Sequence, residues 1–188
     1  MKRLFIAINL PEDVKEVLAE KQEDIRVNFE EDPVKWVAKQ NLHITLAFLG
    51  SVKKNLIPVI EEELEKIDYS KFNFNLDNIE YTPNRREAKM IWVTGISDKL
   101  KKIQKEVDKT LISINELSYK PDSRDFSPHV TLGRVKSFEF RNQSLESIPL
   151  LEDEFVNLNF KIKAFDLMES KLKRSGPEYK KIKSINLK

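Results

Sequence analysis

The 188-residue chain contains no cysteine. That absence excludes thiol nucleophiles, thiolate metal sites and disulfides. Histidine is nearly absent too, with two copies, so any imidazole chemistry must use one or both. No apolar run approaches the length of a membrane span, and the longest are broken by charge within a few residues. The opening MKRLFIAINLPEDV sets basic residues before an apolar patch, as a signal peptide does. The patch is short, lacks a small-residue cleavage site and runs into a helix start. It therefore reads as a first strand, and the expected location is cytoplasmic. Four glycines, eight prolines, 40% hydrophobic and 34% charged residues describe a folded globular chain, neither disordered nor collagenous. The length suits one domain spanning 1–188, built as two small lobes that share an interface.

Net charge is only +2, but it is unevenly placed. From Lys171 to Lys188 there are seven Lys or Arg against one Glu, so the rest of the chain is net acidic. A basic C-terminal stretch on a near-neutral body suggests an anionic partner, against the alternative of a solubilising tail.

Periodicity places the elements. RLFIAIN alternates as a strand, and Pro11 opens a helix with Val14, Val17, Leu18 and Ile25 on one stripe. VKWV and LHITLAFLG follow as strands. A second helix carries Ile57, Ile60, Leu64 and Ile67, and FNFNLDNIE and KMIWVTG are strands. A third helix begins near Ser97, with Leu100, Ile103, Val107 and Leu111 on one side. SPHVTLGRV, one long strand from Phe155 to Glu169, and YKKIKSINL after a break at Ser175-Gly176-Pro177 complete the chain. The strands alternate polar and apolar residues, as one-sided sheets do. The expected fold class is therefore α+β: two pseudo-twofold-related lobes with mostly antiparallel sheets, flanking helices and a central cleft.

The duplication is carried by the histidines. NLHITLAFLG and SPHVTLGR put both into one frame: His, aliphatic, Thr, Leu. Threonine occurs five times, so both histidines gaining a Thr two residues on has a chance of roughly one in a thousand. On a strand, residues two apart share a face. His43 and Thr45 therefore stand together with Ile44 and Leu46 behind them, and His129 and Thr131 stand before Val130 and Leu132. Each ring alone can be a satisfied strand residue, and a pair can recruit a metal. No HxH, HxxxH or nearby acidic pair accompanies them, so neither a metal nor a cofactor is expected. Two imidazoles without thiol suit general acid–base catalysis near neutral pH, and the Thr hydroxyls can hold a phosphoryl group. A phosphodiester between the rings fits every part.

Arg134 is a further candidate for the phosphate. It lies five residues after His129, so alternation turns it away unless Gly133 breaks the pattern with a bulge. Trp36 and Phe48 are candidates to stack a base, with core packing the alternative. Arg85 and Arg86 in a turn-rich segment are candidates to meet the backbone of a polyanionic partner, against a solvated loop. Lys171, Lys173 and Arg174 form a basic edge suited to guiding an anionic partner.

With these residues in place, the chain resembles the two-histidine phosphoesterases, specifically the RNA 2′,3′-cyclic phosphodiesterases once named 2′-5′ RNA ligases. RLFIAINLP, KWVAKQNLHITLAFLG, MIWV, FSPHVTLGR and MESKLKRSGPEYKKI match that family's blocks in order. The resemblance implies metal-independent hydrolysis of a terminal 2′,3′-cyclic phosphate to a 2′-phosphomonoester. It makes His43 the proton donor, His129 the proton acceptor, and Thr45 and Thr131 phosphate ligands. The acid–base assignment rests on the resemblance alone, because the two motifs are equivalent. Expected partners are RNA ends, including tRNA fragments, or cyclic nucleotides, met by a monomer without a membrane. The alternatives are 2′-5′ end ligation, which is the reverse chemistry, and non-catalytic binding of RNA ends.

Overall fold

The computed structural model describes residues 1–151, 155–174 and 176–188; Ser175 of the expected break lies outside them. The strands are β1 (Lys2–Asn9), β2 (Val34–Trp36), β3 (His43–Val52), β4 (Phe72–Thr82), β5 (Met90–Thr94), β6 (His129–Val135), β7 (Phe155–Ile162), β8 (Ala164–Lys173) and β9 (Gly176–Asn186). The helices are α1 (Glu12–Arg26), α2 (Ile57–Glu65), α3 (Asp98–Ser113) and the short α4 (Ser137–Arg141). Among the described residues, no helix is long and apolar enough to cross a membrane.

All nine strands join one antiparallel sheet, ordered β7-β4-β5-β6-β3-β1-β8-β9, with β2 pairing β6. The sheet is curled into a half-barrel and has two halves. Their strands meet where β3 pairs β6 through Ile44 and Val130, the same position of each His-x-Thr frame. The helices pack reciprocally. Helix α1, which precedes β3, packs on β6, and α3, which precedes β6, packs on β3. This exchange is what a twofold relation between the halves requires.

Pattern explains the elements. In α3 the buried Leu100, Ile103, Val107 and Leu111 recur at helical spacing, and the Ser97 hydroxyl caps the start by accepting from the Leu100 N–H at 3.2 Å. Pro11 is the N-cap residue of α1, and Glu12 and Asp13 in the first turn are favoured by the helix dipole. It buries Gln22 along with Val14, Leu18 and Ile25. That amide donates to the Val37 carbonyl at 2.8 Å and the Leu132 carbonyl at 2.7 Å, so its burial leaves the donor satisfied.

Val17, expected on the packed stripe of α1, is exposed, and Gly176 and Pro177 of the expected break begin β9; two further expectations change. The stretch from Phe155 to Glu169 is two strands interrupted at Lys163, because its partners change there. Strand β7 pairs β4 in one half, and β8 pairs β1 and β9 in the other. The alternation continues through the break because one face of each strand meets the core, so the sequence carries no sign of it. Helix α2 ends at Glu65, leaving Ile67 beyond it but still packed on the core.

Gly133 holds β2 against β6. A Cβ there would lie 2.4 Å from Val34 Cγ1 and 3.3 Å from the Trp36 ring. Gly133→Ala is therefore expected to lower stability by about 1–3 kcal/mol through overpacking. Urea unfolding checks this, and an unchanged midpoint would show that β2 can yield.

Candidate active site

Each motif strand carries a bulge at the same place. Thr45 pairs Ala7 while Ala47 pairs Ile6, so Leu46 is an extra residue in β3. Thr131 pairs Trp92 while Gly133 pairs Ile91, so Leu132 is the extra residue in β6. A bulge shifts the alternation by one. The fifth residue after each histidine therefore joins His and Thr on the face away from the helices. In β3 that residue is Phe48, 70% exposed; in β6 it is Arg134, whose Nη1 lies 3.9 Å from Met90 Sδ. The bulge that brings Arg134 to the cleft falls at Leu132, beside the expected glycine.

The antiparallel register around Ile44 and Val130 sets His43 level with Thr131 and Thr45 level with His129. Both imidazoles are oriented alike. His43 Nδ1 lies 2.6 Å from the Asn41 carbonyl and His129 Nδ1 lies 2.7 Å from the Ser127 carbonyl. A carbonyl only accepts, so each Nδ1 carries the proton and each Nε2 is the unprotonated, accepting nitrogen of the neutral ring. The Thr45 hydroxyl is 3.0 Å from His43 Nε2.

The surroundings of the rings differ. His43 sits against Phe5 at 5.2 Å and edge-on to Tyr179 at 5.3 Å between centroids. His129 lies parallel to Trp92, at 3.7 Å and 18°. Burial pushes the pKa of His43 below its ordinary value; the charges of His129, Lys15 and Arg134 add to this, while the bond to Asn41 opposes it. Burial also lowers His129, with Arg124 adding and the Ser127 bond opposing. Beside His43 in the ladder is Asn9, which donates to the buried Asp166 carboxylate at 2.6 Å.

Other sequence candidates scatter. Lys171, Lys173 and Arg174 lie exposed at the end of the β8–β9 hairpin, where Lys173 pairs Glu178. That hairpin is fastened near His43, since the Asn41 side chain donates to the Pro177 carbonyl at 2.9 Å. Arg85 is not a free cation for RNA: its guanidinium donates to the Leu145 and Ile148 carbonyls. Arg86 lines a separate cavity of about 280 Å³ with Lys89 and Arg141. Trp36 does not join the cleft. Its indole N–H donates to Asp32 and its ring packs on the core beside Gly133. The sequence reading missed Asn9, Trp92 and Tyr179; an Asn inside the apolar FIAIN run was the one local signal. Among the described residues, no three His, Asp or Glu side chains gather as a metal-ligand set.

A two-half sheet with twin His-x-Thr strands meeting at its centre is the architecture of a two-histidine phosphoesterase. Two successive matches, over residues 8–92 and 93–179, place the chain in the LigT-like phosphoesterase family, to which it belongs. It is 34% identical over 183 residues to an RNA 2′,3′-cyclic phosphodiesterase of Methanocaldococcus jannaschii, covering 96% of this chain and 98% of that one. It is 31% identical to the Thermotoga maritima protein of the same name, covering 95% and 91%. Among solved structures, a Thermus thermophilus protein superimposes with a TM-score of 0.80 at 25% identity, covering 98% and 97%. E. coli LigT in complex with 3′-AMP has the same fold, with a TM-score of 0.77 at 24% identity, covering 99% and 98%.

Both imidazoles are expected to titrate below the ordinary histidine value. Because only two histidines exist, their C2–H proton resonances can be assigned with two single variants. In His129→Ala the His43 midpoint should rise, since a like charge that lowers it is removed. A midpoint that stays put would mean that the rings do not sense one another.

Proposed function

We propose that the chain forms one bilobal domain that hydrolyses 2′,3′-cyclic phosphate at RNA ends, using its two imidazoles as acid and base. The observation that carries this reading is the matched pinning of both Nδ1 atoms to carbonyls two residues back, which leaves two Nε2 atoms for one reacting centre. The names of the curated relatives agree with it.

In this reading the cyclic phosphate binds between the motif strands, with non-bridging oxygens on the Thr45 and Thr131 hydroxyls and the Arg134 guanidinium. His129 Nε2, as the base, takes a proton from water as the water oxygen bonds to phosphorus. The bond from phosphorus to the 3′ oxygen breaks, and His43, protonated at Nε2, gives that oxygen its proton. The products are a 2′-phosphomonoester and a free 3′ hydroxyl, and no other reactant is needed. His43 carries the heavier set of neighbouring cations; a bound anion offsets them and favours its protonated form. Phe48 offers an exposed ring for the terminal base, and Lys171, Lys173 and Arg174 offer charge at the cleft rim.

The test is an RNA ending in a 2′,3′-cyclic phosphate, incubated in EDTA with the end group identified by phosphorus NMR. The wild type should yield the 2′-phosphate. His43→Ala and His129→Ala should each slow turnover by about 10²–10⁴-fold, the usual worth of a general acid or base, while remaining folded. Arg134→Ala should cost about 10²–10³-fold by loss of transition-state charge stabilisation. Wild-type rates in both histidine variants would sink the proposal, and dependence on added metal would remove the metal-free part of it.

A further inference from the structure

The helix-free face continues past His43 into the half formed by β3, β1, β8 and β9, and the registers arrange it in rows. One row runs Phe48, Phe5, Met168, Lys181. It is largely apolar: Phe5, Ala7 and Met168 form a small buried cluster apart from the main core, with Tyr179 packed on it. The next row, two residues further from His43 along β1, runs Ser51, Arg3, Ser170, Tyr179. It holds a guanidinium, two hydroxyls and a phenol on adjacent strands.

That second row has no partner of its own. Among the described residues, Arg3 has no ion pair, and neither the Ser170 nor the Tyr179 hydroxyl has a hydrogen-bond partner. Lys2, the residue before Arg3 and on the other face, is by contrast held by Glu169 at 2.8 Å. Tyr179 spans the two rows. Its ring meets Phe5 at 4.9 Å and His43 at 5.3 Å, and the charges of Arg134 and Arg3 both act on its phenol, which burial otherwise pushes up. The face therefore carries one guanidinium, Arg134, on the motif strand of His129 and a second at Arg3, with the row of Phe5 lying between His43 and Arg3. That is the pattern of one nucleoside between two phosphates. From Ala7, level with Thr45, to Arg3 is four residues, about 13 Å of strand, and the arms of Arg3 and Tyr179 reach back across part of it.

We infer that Arg3, Ser170 and Tyr179 form a second phosphate subsite, which takes the phosphodiester on the 5′ side of the terminal nucleotide and makes an RNA chain end, not a free cyclic mononucleotide, the preferred substrate. This inference rests on the phosphodiesterase reading above. Tyr179 has a double place in it. Its ring edge positions His43, and its hydroxyl donates to the second phosphate.

The experiment compares kcat/KM on two probes: a short oligoribonucleotide ending in 2′,3′-cyclic phosphate, and adenosine 2′,3′-cyclic monophosphate, which lacks the second phosphate. In Arg3→Gln the preference for the oligonucleotide should fall about tenfold, the scale of one charge-assisted hydrogen bond, chiefly through KM. In Tyr179→Phe it should fall several-fold, with the ring still in place against His43. An equal loss on both probes, or no loss on either, overturns the subsite. Should the wild type hydrolyse neither probe, the activity reading fails while the subsite stays testable by fluorescence anisotropy. Arg3→Gln must then lower the salt dependence of oligonucleotide binding by about one phosphate contact, and an unchanged slope overturns it.

Discussion

The cleft depends on a single strand contact, the antiparallel pairing of Ile44 with Val130. Among the described residues it is the one strand pairing that joins β3, and with it β1, β8 and β9, to β6, β5, β4 and β7. Because it falls at equivalent residues, it sets the relation between the two histidines, the two threonines and the two bulges at once. Both side chains are fully buried, and each strand is backed by the helix that precedes the other. A shift of one residue in this register would turn one motif away from the other. The reciprocal helices oppose that shift by making each half part of the other's core.

On this frame the two rings occupy unlike environments. His43 has two aromatic neighbours and the charges of Lys15 and Arg134 nearby, whereas His129 is stacked on one indole. Burial disfavours the imidazolium of both rings; the charges of His129, Lys15 and Arg134 add to this at His43, and that of Arg124 adds to it at His129. The free protein thus leans toward a neutral His43, and an anion bound beside Arg134 reverses the lean. In the proposed reaction this couples the acid's proton to the arrival of substrate, so a ring with a low resting pKa still serves as a donor.

The sequence made much of this visible, and physics explains the remainder. The His-x-Thr pairs were legible because strand alternation is local, and burial of Ile44, Leu46, Val130 and Leu132 follows from it. The bulges were not, since a bulge is defined by the partner strand; hence the uncertain face of Arg134. The division of β7 from β8 at Lys163 was hidden for the same reason. Trp92 reaches His129 through the β5–β6 register, and Tyr179 on β9 reaches His43 across β8 and β1, so neither contact is written in the local sequence. Arg85 read as a free loop cation because backbone carbonyls that accept from a guanidinium leave no trace in composition.

The twin bulges place Phe48 and Arg134 at matching points of the two halves. A cleft with true twofold symmetry cannot tell one end of its ligand from the other, because the two ways of seating it are equivalent and either imidazole meets either end. A ring in one half and a guanidinium in the other remove that ambiguity. Duplication supplied two equal arms; the difference at one repeated position gives the cleft a direction.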